Sequence, residues 1–324
     1  MYTAGEIKSI IDTHIQNLSL PEGFPGLYDP VRYIMELGGK RIRPLLTMMS
    51  ANIFSEDVRN AISPALAMEV FHNFTLVHDD IMDAAPLRRG AATVHTRWDH
   101  STAILSGDVM LIKAYELLSA GELKMTAQLL EIFNKTAREV CEGQRMDMDF
   151  ESEKNVSAER YVEMIRLKTS VLLGCCAYTG AIAGGAAVKD AEALYHFGES
   201  LGISFQIQDD ILDTWGDAST FGKQKGGDII RNKKTFLLLK TLELCKDQDR
   251  AQLNNLLLET NMPEDEKVQK VIAFYEKYGV RKIAEELMQT YFNAAMQSLK
   301  KVEVNELKKQ NLSDLAQAIY TRSY

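Results

Sequence analysis

Proline is scarce in this chain. Seven occur among 324 residues, about 2% where about 5% is usual. A chain so poor in the residue that interrupts helices can carry long ones. Strand signals are missing too: no run alternates apolar and polar residues between Asn-Gly turns. Cysteine is limited to Cys141, Cys175, Cys176 and Cys245, with no CxxC pair and no histidine at zinc-like spacing. That pattern argues against a zinc site and reads as four buried thiols in a reducing compartment. Positive charge is in deficit, 37 Lys and Arg against 45 Asp and Glu for a net charge of -8, which argues against a nucleic-acid partner. The opening MYTAGEIKSIIDTHI has no apolar stretch of the signal-peptide kind. A cytoplasmic protein is expected.

What is present is helical periodicity. The hydrophobic fraction is 46%, enough for a sizeable core. Leu66, Val70, Phe74, Val77 and Ile81 fall on one face of a long helix, and Ala191 to Asp213 behaves similarly. Breakers cluster at Leu20–Pro30, Gly38–Gly39, Asp83–Thr93 and Gly216–Asp228, none of them resembling an inter-domain linker. The expectation is one all-α domain over residues 1–324, a bundle of about ten or more helices. Val171 to Val188 is uncharged and close to the minimum length for a membrane span. Its glycines, Gly174, Gly180, Gly184 and Gly185, and its short apolar side chains favour a buried core helix broken at the Gly pair, with no integral membrane segment.

The strongest chemical signal is a repeated aspartate cluster: Asp79, Asp80 and Asp83 in HDDIMD, and Asp209, Asp210 and Asp213 in QDDILD. On a helix, the first and last aspartates of each set share a face one turn apart. Carboxylates crowded at a helix end raise one another's pKa unless a cation binds. Oxygen-only ligands of this kind suit magnesium, which keeps several waters and shares itself between carboxylates and substrate phosphates. Cations accompany the clusters. Gly38–Pro44, GGKRIRP, offers Lys40, Arg41 and Arg43 with free backbone N–H groups, and Pro44 suits the first turn of a following helix. Arg88 and Arg89 stand just beyond the first cluster, where each can fork onto phosphate or onto a neighbouring aspartate. The Gly- and Lys-rich loop Gly216–Lys234 follows the second cluster and has the composition of a lid. Lys168-Thr169 reads as a helix start, where a lysine opposes the helix dipole and calls for an anionic partner. Together these segments describe metal-binding carboxylates and a ring of cations around a cavity lined by apolar helices.

In order along the chain, GGKRIRP, DDIMD with RRG five residues on, GQRMD (Gly143–Asp147), KT, FQIQDDILD and the GK…NKK loop resemble the trans-polyprenyl diphosphate synthases, which include the farnesyl and geranylgeranyl diphosphate synthases. The match spans about Gly38 to Thr235. The resemblance implies an isoprenoid-synthase helical bundle with a central apolar cavity, acting as a homodimer. It implies about three Mg²⁺ ions, with Mn²⁺ as a substitute: two on Asp79 and Asp83, a third on Asp209 and, through water, Asp213. Lys40, Arg43, His72 and Arg89 would hold isopentenyl diphosphate. Arg88, Lys168, Lys223 and Lys233 would hold the allylic diphosphate (dimethylallyl, geranyl or farnesyl), with Thr169 and Gln206 near the developing allylic cation. His72 lies seven residues before Asp79 and so on its face.

The reaction so implied is ionisation of the allylic C–O bond, attack by the isopentenyl double bond, and proton loss to the released pyrophosphate. Ala91-Ala92-Thr93 departs from the usual Pro-Thr there, and Asn232-Lys233-Lys234 leaves two candidates for the last lysine, of which Lys233 is preferred. A terpene cyclase would replace the second aspartate motif, and a non-catalytic partner subunit would lack carboxylates or arginines. A longer-chain synthase is the nearer alternative.

Product length turns on the helix that carries Asp79. In this family a phenylalanine five residues upstream, here Phe74 at about 7.5 Å depth, implies a blocked cavity and a short product of fifteen or twenty carbons. Thr75 occupies the fourth position. Helix geometry names a different floor: on an ideal wheel Phe74 is about 140° from Asp79, while Phe71, Thr75 and Met68 lie within about 80°.

Overall fold

The structure is a computed structural model that describes residues 1–216 and 226–321. The described chain is helical apart from one two-residue hairpin. It forms two compact units, each assembled from separated stretches of sequence.

The first unit comprises Met1–Lys135, Cys175–Tyr195 and Lys301–Leu312. It contains α1 (Ala4–Gln16), α2 (Pro25–Glu36), α3 (Ile42–Asn52), α4 (Arg59–Met82), α5 (Val94–Arg97), α6 (His100–Leu118) and the start of α7 (Leu123–Ser152). Local chemistry sets the helix ends. Thr3 and Glu6 form a reciprocal capping box at α1, Pro25 occupies the first turn of α2, and Asp99 caps α6 through the Thr102 amide. The breaker-rich stretch Leu20–Pro30 therefore already contains a helix start. α4 is the axis of this unit. It runs along α6 and also meets α3, α1 and α2. Burial accordingly extends beyond the single stripe that the periodicity suggests, taking in Ala61, Ala65, Ala67, Met68 and Phe71, while Phe74 and Ile81 are only half-buried. Small residues allow the close packing: a Cβ on Gly180 would lie 1.9 Å from the Thr47 carbonyl oxygen on α3.

The hairpin pairs β1 (Leu87–Arg88) with β2 (Ala91–Ala92). Its two turn residues, Arg89 (φ 53°) and Gly90 (φ 78°), both take the left-handed region that a tight two-residue connection demands.

The second unit comprises Thr136–Gly174, His196–Lys300 and Ser313–Tyr324. It holds the end of α7, α8 (Ala158–Ile165), a single π-helical turn at Arg166–Ser170, and parts of α9 (Val171–Ala183) and α10 (Val188–Trp215). After these come α11 (Gly227–Ile230), α12 (Phe236–Leu244), α13 (Asp247–Leu258), α14 (Glu264–Lys277), α15 (Val280–Lys300) and the later part of α16 (Glu306–Tyr320), whose first residues belong to the first unit. Its core gathers Tyr161, Ile165, Ile207, Leu237, Val271 and Tyr275. The uncharged segment is a core helix, as its glycines suggest: α9 stops at Ala183 and Gly185 turns with φ 86°. No helix among the described residues is long and apolar enough to cross a membrane. Of the four cysteines, Cys175, Cys176 and Cys245 are buried, but Cys141 is exposed, because it stands on the solvent side of α7.

Candidate active site

The two aspartate clusters end long helices, and in each the middle residue is set apart from its neighbours. On α4, Asp83 is the C-cap, and its amide donates to the Asp79 carbonyl one turn back at 2.9 Å. Asp83 is exposed and Asp79 half-buried. Asp80 turns inward and is 1% exposed. There the Arg88 guanidinium forks onto it, Nε to both carboxylate oxygens at 2.9 and 2.8 Å, with a further contact at 3.7 Å to Asp79. The hairpin aims this arginine. Burial raises the Asp80 pKa more than the Arg88 contacts lower it.

On α10, Asp210 is likewise buried, while Asp209 is half-buried. The Tyr161 hydroxyl donates to Asp210 at 2.9 Å and the Phe236 amide at 3.3 Å. Burial first, and the Asp228 carboxylate second, push the Asp210 pKa up to about 8, against the hydrogen bonds from Tyr161 and Phe236 and the charge of Lys233. Asp213 is also buried. Its side chain accepts from the Asp228 amide at 3.0 Å, and its carbonyl accepts from Gly226 at 2.7 Å.

The GGKRIRP loop is built on left-handed backbone: Gly38 (φ 76°), Gly39 (φ 129°) and Arg41 (φ 50°). Pro44 falls in the first turn of α3. The loop does not present three cations. Arg41 is 7% exposed, and its guanidinium pairs with buried Glu69 at 2.5 Å and also donates to the Met35 carbonyl. A left-handed residue points its side chain away from its neighbours, and Glu69 on α4 is there to receive it. Lys40 stays exposed. Arg43 donates to His72 Nε2 at 3.0 Å, and its own Nε is buried with no hydrogen-bond partner. The His72 pKa lies well below its ordinary value, first through burial and then through Arg43, Arg89, Arg88 and Arg41. The imidazole is therefore neutral, with its proton on Nδ1. Arg89 donates to the Gly38 carbonyl, and a Cβ on Gly39 would come within 3.0 Å of its guanidinium carbon.

Lys168 and Thr169 are not at a helix start. They lie in the π turn joining α8 to α9, so the dipole argument does not apply. The bulge is stabilised by close approach of α7: a Cβ on Gly143 would meet the Lys168 amide nitrogen at 2.2 Å. One turn beyond Gly143 on the same helix, Asp147 accepts from the Lys168 ammonium at 2.6 Å. Lys233 feels the same carboxylate. Desolvation lowers its pKa, but Asp228, Asp147 and Asp210 together raise it further. Gln206 is half-buried on α10, one turn before Asp209 and Asp210. Lys223 lies outside the described residues. Asp147, Asp228 and Tyr161 are site neighbours that the sequence left without a role; the i, i+4 spacing of Gly143 and Asp147 was the available signal.

Upstream of Asp79 the aromatic residues form a chain. Phe71 is 1% exposed, with its ring 4.9 Å from Phe133 on α7 and 5.6 Å from Phe74. Phe133 in turn meets Tyr115 at 5.1 Å, and Phe74 packs on the His78 ring at 4.8 Å. The Thr75 hydroxyl donates to the His72 carbonyl at 2.8 Å.

Among the described residues no three His, Cys, Asp or Glu side chains are drawn together as a ready-made metal cage. The chemistry of each cluster nonetheless fits magnesium, whose coordination is completed by water and phosphate: each offers only carboxylate oxygens as side-chain donors.

This fold is one that synthase structures share. The structure superimposes on the crystal structure of a geranylgeranyl pyrophosphate synthase with a TM-score of 0.95 and 43% identity, covering 100% of both chains. The chain belongs to the polyprenyl synthetase family, whose model matches residues 25–275. It is 41% identical over 249 residues to the geranylgeranyl diphosphate synthase of Methanosarcina mazei, covering 75% of this chain and 76% of that one. It is also 33% identical to the geranylfarnesyl diphosphate synthase of Natronomonas pharaonis, over the full length of both. The protein is a prenyltransferase of the short-chain prenyl diphosphate synthase kind, and its family uses a divalent metal.

Proposed function

We propose that this chain condenses isopentenyl diphosphate with an allylic diphosphate to give an all-trans product of fifteen or twenty carbons. The observation that carries the reading is the crowding of positive charge around His72. Arg41, Arg43 and Arg89 gather there with Glu69 as the buried carboxylate among them, and Arg43 keeps an unpartnered buried N–H. Like charges brought together this way suit an anion with several acceptor oxygens. Lys40, Arg43, His72 and Arg89 take the isopentenyl diphosphate. Neutral His72 orients Arg43 and adds no charge of its own.

Lys168 and Lys233, with Arg88 and Lys223, take the allylic diphosphate. Lys168 is paired with Asp147 and Arg88 with Asp80, so each cation is held in a fixed place within its own unit. Asp79, Asp83 and Asp209, with Asp213 through water, would hold about three Mg²⁺ ions, for which Mn²⁺ can substitute. The metal supplies Lewis-acid stabilisation of the leaving diphosphate. Thr169 and Gln206 direct oxygen dipoles at the allylic cation, and the isopentenyl double bond is held for attack. The proton leaves to pyrophosphate.

Residues 1–324 act as one catalytic unit in the cytoplasm, without nucleic acid, as a homodimer. Exposed apolar side chains on α6, Ile104, Leu105 and Ile112, support the dimer.

Incubating the purified chain with isopentenyl diphosphate, farnesyl diphosphate and Mg²⁺ should release pyrophosphate and give a twenty-carbon diphosphate by mass spectrometry, and chelation should abolish both. No pyrophosphate release would overturn the reading, and a product of thirty carbons or more would overturn its length. Phe71→Ala and Phe74→Ala identify the floor of the cavity. Lengthening by Phe71→Ala alone assigns it to the buried ring that meets Phe133.

A further inference from the structure

One half-buried cation near the proposed allylic site is held by backbone carbonyls. The side chain of Lys234 runs to the C-terminus of α7, where its ammonium donates to the carbonyls of Phe150, Glu151 and Glu153, the last two at 3.4 and 2.7 Å. The final carbonyls of a helix have no intrahelical donors and carry the negative end of its dipole. A lysine ammonium with three N–H groups satisfies them. This lysine is more than eighty residues away from them in sequence, so the contact is tertiary. Arg160 closes the same end, pairing with Glu153 and lying 5.2 Å over the Phe150 ring.

The backbone around Lys234 is fastened on both sides. The Lys233 amide donates to the Asp228 carbonyl at 2.8 Å, the Thr235 amide to the Lys233 carbonyl at 2.9 Å, and the Phe236 amide to Asp210 at 3.3 Å. Adjacent side chains on such a segment diverge. With Lys234 committed to the end of α7, Lys233 is left within electrostatic reach of Asp228, Asp147 on that helix, and Asp210. Asp147 is the residue that also holds Lys168.

We propose that Lys234 is a positioning residue: by capping the C-terminus of α7 it holds Lys233 in register with the Asp147–Lys168 pair for the allylic diphosphate. The inference rests on the proposed role of Lys233. It distinguishes the two neighbouring lysines by function, one for the substrate and one for the helix end.

A double-mutant cycle tests it, with steady-state kinetics on both substrates and thermal melts of each variant. Lys234→Met should raise KM for farnesyl diphosphate by roughly tenfold and change KM for isopentenyl diphosphate by less than about twofold. Lys234→Arg, which keeps a donor cation at the helix end, should restore most of the loss. In the background of Lys233→Ala, adding Lys234→Met should change the allylic KM by less than about twofold, since it acts through a side chain already removed. Additive effects, or a lowered melting temperature with unchanged allylic KM, would overturn the positioning role. An unchanged allylic KM in Lys233→Ala alone would instead overturn the site reading, and the positioning role with it. If Lys234→Met does not fold, Lys234→Leu, which also lacks a donor for the carbonyls, carries the same cycle.

Discussion

The motifs DDIMD and DDILD are nearly the same peptide in two settings, and the setting changes what the middle aspartate is. On α4, Asp80 is buried against the Arg88 fork, a charged pair. On α10, Asp210 is buried against a phenol and a backbone amide, and its pKa rises to about 8. Asp80 has a guanidinium forked directly onto it, whereas Asp210 is buried with the Asp228 carboxylate nearby, and its hydrogen bonds and the charge of Lys233 do not offset the two. Identical sequence spacing therefore yields one carboxylate in an ion pair and one whose pKa is pushed up to about 8. The outer aspartates of both motifs stay less buried than the middle one on α4, while on α10 Asp213 is drawn in by the Asp228 amide.

If the outer residues are equivalent in spite of this, Asp79→Ala and Asp209→Ala should each cost turnover by about a thousandfold, a loss of roughly 4 kcal/mol in metal-assisted ionisation. Losses that differ by more than about tenfold would break the equivalence.

Removing each middle aspartate's partner sharpens the contrast. Arg88→Gln leaves a buried carboxylate without its cation and should destabilise the chain by about 3 kcal/mol in urea unfolding. Tyr161→Phe removes a single hydrogen bond to a group that can protonate, and should cost about 1 kcal/mol. Equal costs would mean that the two carboxyls are in the same state.

Substrate partition comes next. Arg43→Ala should raise KM for isopentenyl diphosphate about tenfold or more, through loss of a charge-assisted contact, with a smaller effect on the allylic substrate. Arg88→Ala should do the reverse. Matching effects on both substrates would show that the cations of α3 and of the hairpin serve one site without division.

The smallest effect concerns pH. The folded pKa of Asp210 is raised, so between its unfolded value near 3.8 and about 8 the folded chain binds the extra proton. Stability from this group is therefore present at low pH and is lost as pH rises toward 8. Metal-free wild-type protein should melt lower at pH 8.5 than at pH 6 by a few degrees, each kcal/mol being worth roughly 2–4 °C. Asp210→Asn, which mimics the protonated side chain, should flatten that slope, whereas Asp80→Asn should not. An unchanged slope in Asp210→Asn would place the titration elsewhere.

Much of this was legible because it is local. The helix of α4, the starts marked by Asp99 and Pro25, and the end of α9 at its Gly pair follow from periodicity and from residues that cap or break. The aspartate spacing and the cations around it pointed to the chemistry because the cluster occurs twice: one such cluster alone reads as a solvated helix end. Where the reading went astray, a partner distant in sequence decided the matter. Arg41 reads as a third cation of its loop, yet Glu69 on α4 claims it. Lys168 reads as a helix start, yet Gly143 on α7 lets two backbones meet there and the chain widens into a π turn. Between Lys233 and Lys234 the sequence prefers the first, and it is Lys234 whose ammonium reaches the end of α7.

By itself, then, the sequence determined an all-α chain and two aspartate motifs with an attendant set of cations, because helical period and residue chemistry are properties of neighbours along the chain. Only the tertiary structure decided the burial of Asp210, the inward turn of Arg41 and which of Lys233 and Lys234 reaches the end of α7. Burial and the cost of an unpaired charge depend on groups that folding brings together from far along the chain.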